Sequence, residues 1–525
     1  MRGPGAGAWA APGVVAIIVA AVLAHGVFFA SYLVPWEDES GYLVLGAMAV
    51  RGEIRLFQDE MLGERLPLPF YVLGASQLVA GPSLLAGRLW SLALGAAAVA
   101  LVYAVGRELG GPLAGALSAL FLATQAMVVA YYATAMYHAL CSLLVAAGLY
   151  LLFVIRWRVG AMAAFTLLSL TRTNMAVMVP LVLVVLWWQS RDRTERWQLL
   201  AVAAAPPLVF FASSAEHLKL LAYVPGLSAL VRPLGYESLF ALGGDALLSD
   251  AGWREAIPWF IRRYLFWCAA GLGLGALAVW TRLRGSGPAW ARRPGVRFVI
   301  VLLVYTLTWQ ALILLKYPKS VAAWAASFAP LGALALGCCS AGVLENQALP
   351  RYLRHAVAAG LAATFLLSPT FSTHSAMPRP LPASGTTIAA LDQVAGQIAS
   401  AVPVGSRVFL VGMSLPAYLA GVRPYLPQII HSWTLVPRGE PAVLHRSGLW
   451  GRADIEQWLR RDACYALIQE SRLDEYRALP AYRELVGLIE ARLAQDFSEA
   501  AEIRVAPLGT YGVYRRRAAG VGGCP

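Results

Sequence analysis

The sequence predicts an α-helical polytopic membrane protein of about eleven transmembrane helices, followed by a soluble α/β domain. Three observations predict this class. The chain of 525 residues is 59% hydrophobic and only 14% charged, whereas soluble proteins carry charge on about a quarter of their residues. Apolar runs of about 20 residues, long enough to cross a bilayer, recur through the first part of the chain. From about residue 372, strand and amphipathic-helix patterns replace these runs.

The predicted spans are eleven apolar segments separated by short connections. Their approximate limits are residues 10–34, 84–106, 112–132, 134–155, 160–171, 174–189, 198–214, 258–280, 297–315, 320–343 and 355–371. The fifth and sixth segments are short and flank "TRTN", so one of them is expected to be a broken or half-crossing element. The first segment lacks an A-x-A cleavage site, which favours a retained signal-anchor over a cleaved signal peptide.

The distribution of arginine predicts the orientation of these spans. The connections "GREL", "RWRV", "SRDRTERW", "TRLRGSGPAWARRPGVR" and "PRYLRH" are rich in arginine, as cytoplasmic loops are. We therefore expect the N-terminus in the cytoplasm. The first loop (35–83), a later loop (215–257) and the C-terminal domain are expected on the outer side. The net charge of +13 follows this membrane pattern and comes with no nucleic-acid-binding motif.

The predicted soluble domain covers residues 372–525, after a membrane module of residues 1–371. A Pro/Ser-rich linker leads to a helix "TIAALDQVAGQIASAV", a strand "SRVFLVG", a helix "ADIEQWLRRD", a strand "CYALIQE" and a strand-like "TYGVYRRR". The six cysteines show no metal-ligand spacing. Cys464 and Cys524 could pair in an oxidising compartment, and simple burial of Cys464 in its strand is the alternative.

Three consecutive acids, Glu37, Asp38 and Glu39, follow the first apolar run. Their simplest role is to mark the interface, because a carboxylate at the bilayer centre costs about 2.5–3.5 kcal/mol. Mutual repulsion is also expected to raise the pKa of at least one of them, which suits a group that accepts a proton. Asp38 is the middle member and precedes the small, polar "SGY". It is therefore the candidate general base.

Lysine usage gives a second signal. Only three of the 42 basic residues are lysines, Lys219, Lys316 and Lys319, and all three are expected on the outer side. An ammonium group at the bilayer surface suits a lipid phosphate, although lysines at helix ends also snorkel without a ligand. Arg172 in "LTRTN" is a charge between two short apolar segments, which suggests a function, and interfacial anchoring is the alternative.

The stretch "EDESGYLVLGAMAVRGEIRLFQDEMLGERLPLPFYVLGASQLVAG" resembles the first extracytoplasmic loop of the C-type glycosyltransferases. This superfamily contains the protein O-mannosyltransferases and the lipid A aminoarabinose transferases. Members have an Asp-Glu pair after the first span, then a stretch from a glycine to an aromatic residue and an aspartate, then a Pro-Leu pair before aromatic residues. Here these are Asp38-Glu39, Gly52 through Asp59, and Pro67-Leu68 with Phe70-Tyr71. Looser similarity covers most of residues 10–345 and the tail ending in "YGVYRRR".

The resemblance implies roles for individual residues. Asp38 matches the catalytic aspartate, Glu39 is its neighbour, and Asp59 matches the second acid of the loop. The donor phosphate would meet four cations: Lys316, Lys319, Arg172 and Arg65. The candidate acceptor or sugar pocket consists of Tyr42, Tyr71, Tyr137 and His138, and a structural role for His138 is the alternative.

The implied activity is inverting transfer of a hexosyl or pentosyl group from a polyprenyl-phosphate-linked donor. The acceptor would be a lipid, a glycan or a protein at the outer face of a bacterial inner (plasma) membrane, with membrane lipids as further partners and no nucleic acid. No cofactor is required and no metal site is predicted, although the many acids leave a divalent metal open. This chain has "SGY" where aminoarabinose transferases show an arginine, and Tyr137-His138 where some members have an acid. These departures leave the sugar and the acceptor open.

Three other functions fit parts of the same pattern. A flippase or transporter of lipid-linked glycans would also need many spans, but is expected to show paired half-sequences. A polysaccharide polymerase or ligase usually places functional arginines and histidines in a large late outer loop, whereas the acids here cluster early. A non-catalytic scaffold would keep its function after Asp38→Asn.

Overall fold

A computed structural model describes residues 7–56, 66–223, 228–235, 258, 260–283, 293–314, 321–376, 385–424, 435–446 and 449–517. The described residues form two compact units. The helical unit contains those within Met1–Ala30, Arg88–Leu208 and Ala251–Met377. The mixed unit contains those within Ser31–Gly87, Val209–Asp250 and Pro378–Pro525.

The described residues before residue 377 are mainly helical, and their principal α-helices number fifteen. In order they are α1 (Gly7–Tyr32), α2 (Glu37–Val50), α3 (Pro67–Ala80), α4 (Leu84–Gly110), α5 (Pro112–Thr124), α6 (Ala126–Tyr132), α7 (His138–Phe153), α8 (Arg158–Leu168), α9 (Met178–Gln189), α10 (Arg193–Ser213), α11 (Ser228–Val231), α12 (Leu265–Leu283), α13 (Pro294–Leu314), α14 (Val321–Leu344) and α15 (Arg351–Ala376). Short 3-10 turns lie at Thr173–Met175, Ala215–Tyr223 and Arg232–Leu234.

Each of the eleven predicted apolar segments contains a helix, which confirms the helical class. The count of eleven spans is not confirmed. By length and composition, five described helices can cross a membrane, and a bent pair would make a sixth. These five are Gly13–Tyr32, Leu84–Gly110, Leu265–Arg282, Pro294–Leu312 and Ala325–Leu344. Several of the remaining predicted spans, such as His138–Phe153 and Arg158–Leu168, are apolar helices shorter than a bilayer crossing requires.

The predicted span 112–132 is not one straight helix. It breaks at Gln125 into α5 and α6, whose axes differ by 71°. Gln125 is buried and has an extended backbone, so it starts α6 as its N-cap and its Oε1 accepts a hydrogen bond from the N–H of Met127. Its Nε2 donates to the carbonyl oxygen of Arg263 at 3.2 Å. The side-chain amide therefore satisfies backbone groups that a break leaves open.

Helix α14 is the most buried of the candidate spans and packs against α5 and α7 within the helical unit. Gly337 makes the close approach to α5 possible, because a Cβ atom there would lie 2.2 Å from Oγ of Ser118. Small residues at such crossings let helix backbones approach closely in membranes.

The mixed unit contains a five-stranded sheet built from the C-terminal part of the chain. Its elements are α16 (Thr387–Ala401), β1 (Arg407–Val411), α17 (Leu415–Leu419), β2 (Arg423–Pro424), α18 (Pro441–Arg446), α19 (Arg452–Gln457), β3 (Tyr465–Gln469), α20 (Glu470–Ala478), α21 (Arg483–Asp496), β4 (Phe497–Val505) and β5 (Gly509–Arg516). The strand order is β2-β1-β3-β5-β4. Strands β2, β1 and β3 pair in parallel, and β5 pairs antiparallel with both β3 and β4.

The structure confirms the predicted helix α16 and the predicted strands β1, β3 and β5. The predicted helix 453–462 is α19 followed by a π-helical turn at Trp458–Asp462. Strand β4 and the helices α20 and α21 were not predicted. The core between sheet and helices is apolar, with Phe409, Trp450 and Trp458 buried in it. The division into residues 1–371 and 372–525 stays a prediction, since the mixed unit also takes in residues 31–87.

Candidate active site

The three acids of "EDES" form the first turn of α2, and the first loop is therefore helical where it carries them. Negative side chains are favoured at a helix N-terminus, because the unpaired N–H groups and the helix dipole are positive there. The three carboxylates nevertheless have three different environments. Successive helical residues are turned by about 100° around the axis, so neighbours face different surroundings.

Glu39 closes the end of its own helix. Its Oε2 accepts a hydrogen bond from the backbone N–H of Trp36 at 3.0 Å. Its own N–H donates to the carbonyl oxygen of Trp36, also at 3.0 Å. The side chain is fully buried. This is the acidic half of a capping box, which satisfies a backbone donor at the helix start.

Glu37 forms an ion pair with an arginine from the C-terminal sheet region of the same unit. Nε of Arg472, on α20, lies 2.8 Å from Oε1 of Glu37. The Glu37 side chain is 5% exposed, so the carboxylate is almost withdrawn from solvent. Burying a carboxylate is tolerated when a charged partner hydrogen-bonds to it.

Asp38 lies between these two buried acids and is itself only partly buried. It is therefore the acid of the three that the fold leaves accessible, while its neighbours anchor the backbone on either side. The structure thus distinguishes the three acids by their environments, and Asp38 is the least buried of them. Sequence alone could not make this distinction, because all three acids are adjacent.

Helix α2 is held from its other side by α3. Gly46 and Gly74 meet at the crossing, where a Cβ atom on Gly46 would lie 2.4 Å from the carbonyl oxygen of Phe70. The rings of Tyr42 and Phe70 pack with centroids 4.9 Å apart. Tyr42 is therefore buried in the α2–α3 contact, whereas Tyr71 is 47% exposed. A pocket role for either tyrosine stays a prediction.

A second group of predicted residues comes together in the helical unit. The guanidinium carbon of Arg172 lies 4.3 Å from the ring centroid of Tyr137, a distance typical of a cation–π contact. Tyr137 packs on the ring of His138 at 4.1 Å. His138 is fully buried, and its Nδ1 lies 3.1 Å from Oγ of Ser327 on α14.

Arg263 extends this group and was not predicted as a site residue. It lies in electrostatic contact with Tyr131, whose ring packs against His138 with centroids 4.9 Å apart. Ring contacts therefore run from Tyr137 through His138 to Tyr131. Arg172 lies over the Tyr137 ring, and Arg263 lies close enough to Tyr131 to interact with it electrostatically. The signal that could have revealed Arg263 is the pair of arginines in "IRRY" at the start of a predicted span.

Arg88 is a second basic residue whose position the sequence did not reveal. Its side chain is fully buried, and its Nη1 donates to the carbonyl oxygen of Ala30 at 2.8 Å. Ala30 lies near the end of α1, eight residues before Asp38 in the sequence. A buried guanidinium is costly unless it is hydrogen-bonded, so Arg88 ties the start of α4 to the end of α1.

Four predicted site residues lie outside the described residues: Asp59, Arg65, Lys316 and Lys319. The two described groups, around Asp38 and around Arg172, belong to different compact units. Within the described part of the chain, no group of three or more His, Cys, Asp or Glu side chains could hold a metal ion. Whether a divalent metal takes part stays a prediction.

The described cavities lie away from both groups of site residues. One of about 670 Å³ is bordered by Phe153, Arg158, Glu195 and Phe298, among others. Another of about 430 Å³ is bordered by Arg293, Cys338 and Glu345. Both lie within the helical unit, beside the arginine-rich connections of the sequence.

Comparison with known proteins supports one family. The model of the family described as dolichyl-phosphate-mannose-protein mannosyltransferase matches residues 64–214. The structure is similar to the crystal structure of ArnT from Cupriavidus metallidurans bound to undecaprenyl phosphate. The identity is 16% and the TM-score 0.55, over 97% of this chain and 99% of that one. For the apo structure of the same protein, the identity is 17% and the TM-score 0.55, over 96% of this chain and 98% of that one. No curated protein matches the chain by sequence.

The family match and the fold agree with the resemblance read from the first loop. The likeness to the crystal structures extends over nearly the full length of both chains, and it includes the C-terminal sheet region as well as the helices. Residues 64–214 therefore match the dolichyl-phosphate-mannose-protein mannosyltransferase family by sequence, and the chain as a whole has a fold similar to that of the ArnT crystal structures.

Proposed function

We propose that this protein is an inverting glycosyltransferase that takes its sugar from a polyprenyl-phosphate-linked donor. The observation that carries the proposal is the state of Asp38. Asp38 is a partly accessible carboxylate in the first turn of α2. The acids on either side of it, Glu37 and Glu39, both make contacts that hold this turn in place. The similar ArnT crystal structure holds undecaprenyl phosphate, a lipid of this donor class.

The proposed reaction is a single displacement at the anomeric carbon of the sugar. Asp38 accepts the proton of the acceptor hydroxyl, or of an amine, as the nucleophile attacks. The new bond from the acceptor to the anomeric carbon forms as the bond from that carbon to the phosphate oxygen breaks. The electron pair leaves with the polyprenyl phosphate, and the configuration at the anomeric carbon inverts.

Cations stabilise the negative charge that develops on the leaving phosphate. Arg172, over the Tyr137 ring, and Arg263, which interacts electrostatically with Tyr131, are the described candidates. Lys316, Lys319 and Arg65 stay candidates from the sequence.

Glu39 supports the base in this proposal and does not replace it. Its carboxylate is buried and already accepts the N–H of Trp36. An acid that closes its own helix end is poorly placed to take a proton from a substrate, whereas it fixes the backbone from which Asp38 projects.

The site is proposed to face the outer side of a bacterial inner membrane, with the N-terminus in the cytoplasm. One structural fact supports this orientation beyond the arginine pattern. Cys464, beside β3, is disulfide-bonded, and disulfides persist mainly in oxidising compartments. Its predicted partner Cys524 lies outside the described residues. The described cysteines of the helical unit, Cys141, Cys268, Cys338 and Cys339, are free thiols.

The test is release of free polyprenyl phosphate by purified protein from a panel of polyprenyl-phosphate hexoses and pentoses, with cell-envelope extract as acceptor. Wild type, Asp38→Asn and Glu484→Gln are compared. Glu484 is the matched control, because it is also an acid in the first turn of a helix, α21, but is 85% exposed and pairs with Arg452 in the C-terminal region.

Release by wild type and Glu484→Gln, with loss in Asp38→Asn, is the expected result. Equal release by Asp38→Asn and wild type would move the base to Glu39 or Asp59. No release with any donor, from a folded sample, would contradict the transferase and favour transport or scaffolding.

A further inference from the structure

Among the described residues, contacts join the C-terminal sheet region to the segment that carries Asp38, all within the mixed unit. At the start of α16, Oγ1 of Thr387 donates to the carbonyl oxygen of Tyr32 at 2.6 Å. Arg472 on α20 pairs with Glu37 at 2.8 Å. On α17, Tyr418 lies in electrostatic contact with Arg51 and Glu53, just past the end of α2. These contacts lie before α2, on its first turn and beyond its last turn.

The Glu37–Arg472 pair is the most constrained of the three contacts. Both side chains are largely withdrawn from solvent, at 5% and 26% exposure. Arg472 also pairs with Glu475 one turn further along α20, so its planar guanidinium is held between two carboxylates. The fully buried Tyr511 on β5 lies close enough to interact electrostatically with both Glu37 and Arg472. The pair therefore sits in the packed interior between α2 and the sheet, where a change in one partner is transmitted to the other.

The geometry ties the orientation of Asp38 to this pair. Glu37 precedes Asp38 directly, so a shift of the Glu37 side chain moves the backbone of the same first turn. At the other neighbour, the Glu39 bond to Trp36 holds the start of the same helix. Arg472 links this turn to a separate packed element, α20.

We propose that Arg472 is a positioning residue for the candidate base: its ion pair with Glu37 holds the first turn of α2 in the orientation from which Asp38 meets the acceptor. The C-terminal region then acts as a brace for the reacting segment. This inference rests on the proposed function. Loss of positioning lowers turnover, because a misplacement of about 1 Å can cost about 100-fold in rate, and leaves donor binding intact.

The test is a double-mutant cycle in the full-length protein reconstituted in lipid. Glu37→Gln, Arg472→Gln and the double variant are assayed for kcat and donor KM in the polyprenyl phosphate release assay. We expect each single variant to lower kcat by about 10- to 100-fold with donor KM within about twofold. The double variant should be no slower than the slower single variant, because coupled residues are not additive.

Two further variants separate positioning from general stability. Arg477→Gln is the matched control, since Arg477 is an arginine of the same helix that is 52% exposed and pairs with Asp474 and Glu490, away from α2. It should turn over at the wild-type rate. Arg472→Lys keeps the charge but loses the planar fork, and should give an intermediate kcat. If Arg472→Gln fails to fold, Glu37→Gln and Arg472→Lys carry the test.

A second readout does not depend on activity. Hydrogen–deuterium exchange of peptides within residues 31–50 should speed up in Arg472→Gln and stay at the wild-type rate in Arg477→Gln. Any of three results would overturn the proposal. They are a wild-type kcat in Arg472→Gln, multiplicative effects of the two substitutions on kcat in the double variant, and faster exchange spread evenly over the chain. If no variant releases polyprenyl phosphate, the proposed function fails, whereas the exchange result still decides whether Arg472 holds the first turn of α2.

Discussion

Oε2 of Glu39 accepts the backbone N–H of Trp36 at 3.0 Å, so the third acid of the cluster is bound to the start of its own helix. The neighbouring Asp38 is therefore distinguished from Glu39 by its environment, although the two carboxylates are adjacent and chemically alike. This difference predicts opposite effects of mutation.

Asp38→Asn should lower kcat by about 100- to 10,000-fold, the range for loss of a general base, with an unchanged melting temperature. Glu39→Ala should lower the free energy of unfolding by about 1 kcal/mol, because the N–H of Trp36 loses its acceptor. Glu39→Gln keeps an acceptor oxygen and should be close to wild type in both measurements. Loss of turnover in a fully stable Glu39→Gln variant would instead identify Glu39 as the base.

The contact between Arg172 and Tyr137 predicts an effect on the donor. A cation–π contact of this kind contributes about 0.5–2 kcal/mol. Arg172→Met should raise the donor KM about 10-fold or more, because it removes a phosphate-binding cation. Tyr137→Leu should raise it by less, and Tyr137→Phe, which keeps the ring face, should leave it unchanged. A donor KM that is the same in Arg172→Met and wild type would remove Arg172 from the phosphate site.

The glycine contact between α2 and α3 predicts a steric effect. A Cβ atom on Gly46 would lie 2.4 Å from the carbonyl oxygen of Phe70, so Gly46→Ala must push the helices apart. We expect a loss of about 1–3 kcal/mol in the free energy of unfolding. Gly396→Ala is the control, because Gly396 lies in α16 with nothing within 4 Å of the added Cβ. Equal stability of the two variants would show that the α2–α3 contact is not as close as the structure has it.

Tyr511 predicts a pH dependence of stability. Burial, reinforced by the nearby Glu37 carboxylate, raises the pKa of the Tyr511 phenol above its usual value of 10.0. The stability that comes from a raised pKa is complete below pH 10, and is lost as the pH rises above it because only the unfolded chain ionises there. The melting temperature of Tyr511→Phe should therefore equal or exceed that of wild type near neutral pH. Above about pH 10 it should fall less steeply with pH than the wild-type value does.

The same substitution at an exposed tyrosine is the control for this titration. Tyr352 is 68% exposed, so Tyr352→Phe should follow the wild-type curve at every pH. The Tyr511 hydroxyl has no hydrogen-bond partner among the described residues, so its removal should cost little. Parallel melting curves for wild type and Tyr511→Phe up to high pH would contradict the raised pKa.

The disulfide of Cys464 predicts the side of the membrane on which the sheet lies. In intact spheroplasts, a membrane-impermeant maleimide should label Cys464 only after reduction, because the thiol is otherwise bonded. Cys464→Ser should leave the other thiol of the disulfide free to label without reduction, while Cys338, a buried thiol of the helical unit, should stay unlabelled before and after reduction. Labelling of Cys464 only after permeabilisation would place the sheet in the cytoplasm and reverse the proposed orientation.

Much of the local structure could be predicted from the sequence. Apolar runs become helices in a membrane because every backbone N–H and C=O must find its partner within the segment, and all eleven predicted segments are helical. The break at Gln125 could not be predicted, because it depends on a hydrogen bond to the carbonyl oxygen of Arg263. Strand β4 was also missed, since its pairing with β5 determines its structure more than its weak apolar pattern.

The sequence by itself determined the class of the protein, its helical segments and the three acids that begin the first loop. These follow from local chemistry: apolar length, charge position and residue type within a few positions of one another. Only the tertiary structure decided which of the three acids stays accessible. Glu37 is buried because Arg472 reaches it from more than 400 residues away along the chain, and Glu39 is buried because the chain turns into a helix at Trp36. Asp38 differs from both in burial, because burial is a property of the folded chain that adjacent residues with the same charge need not share.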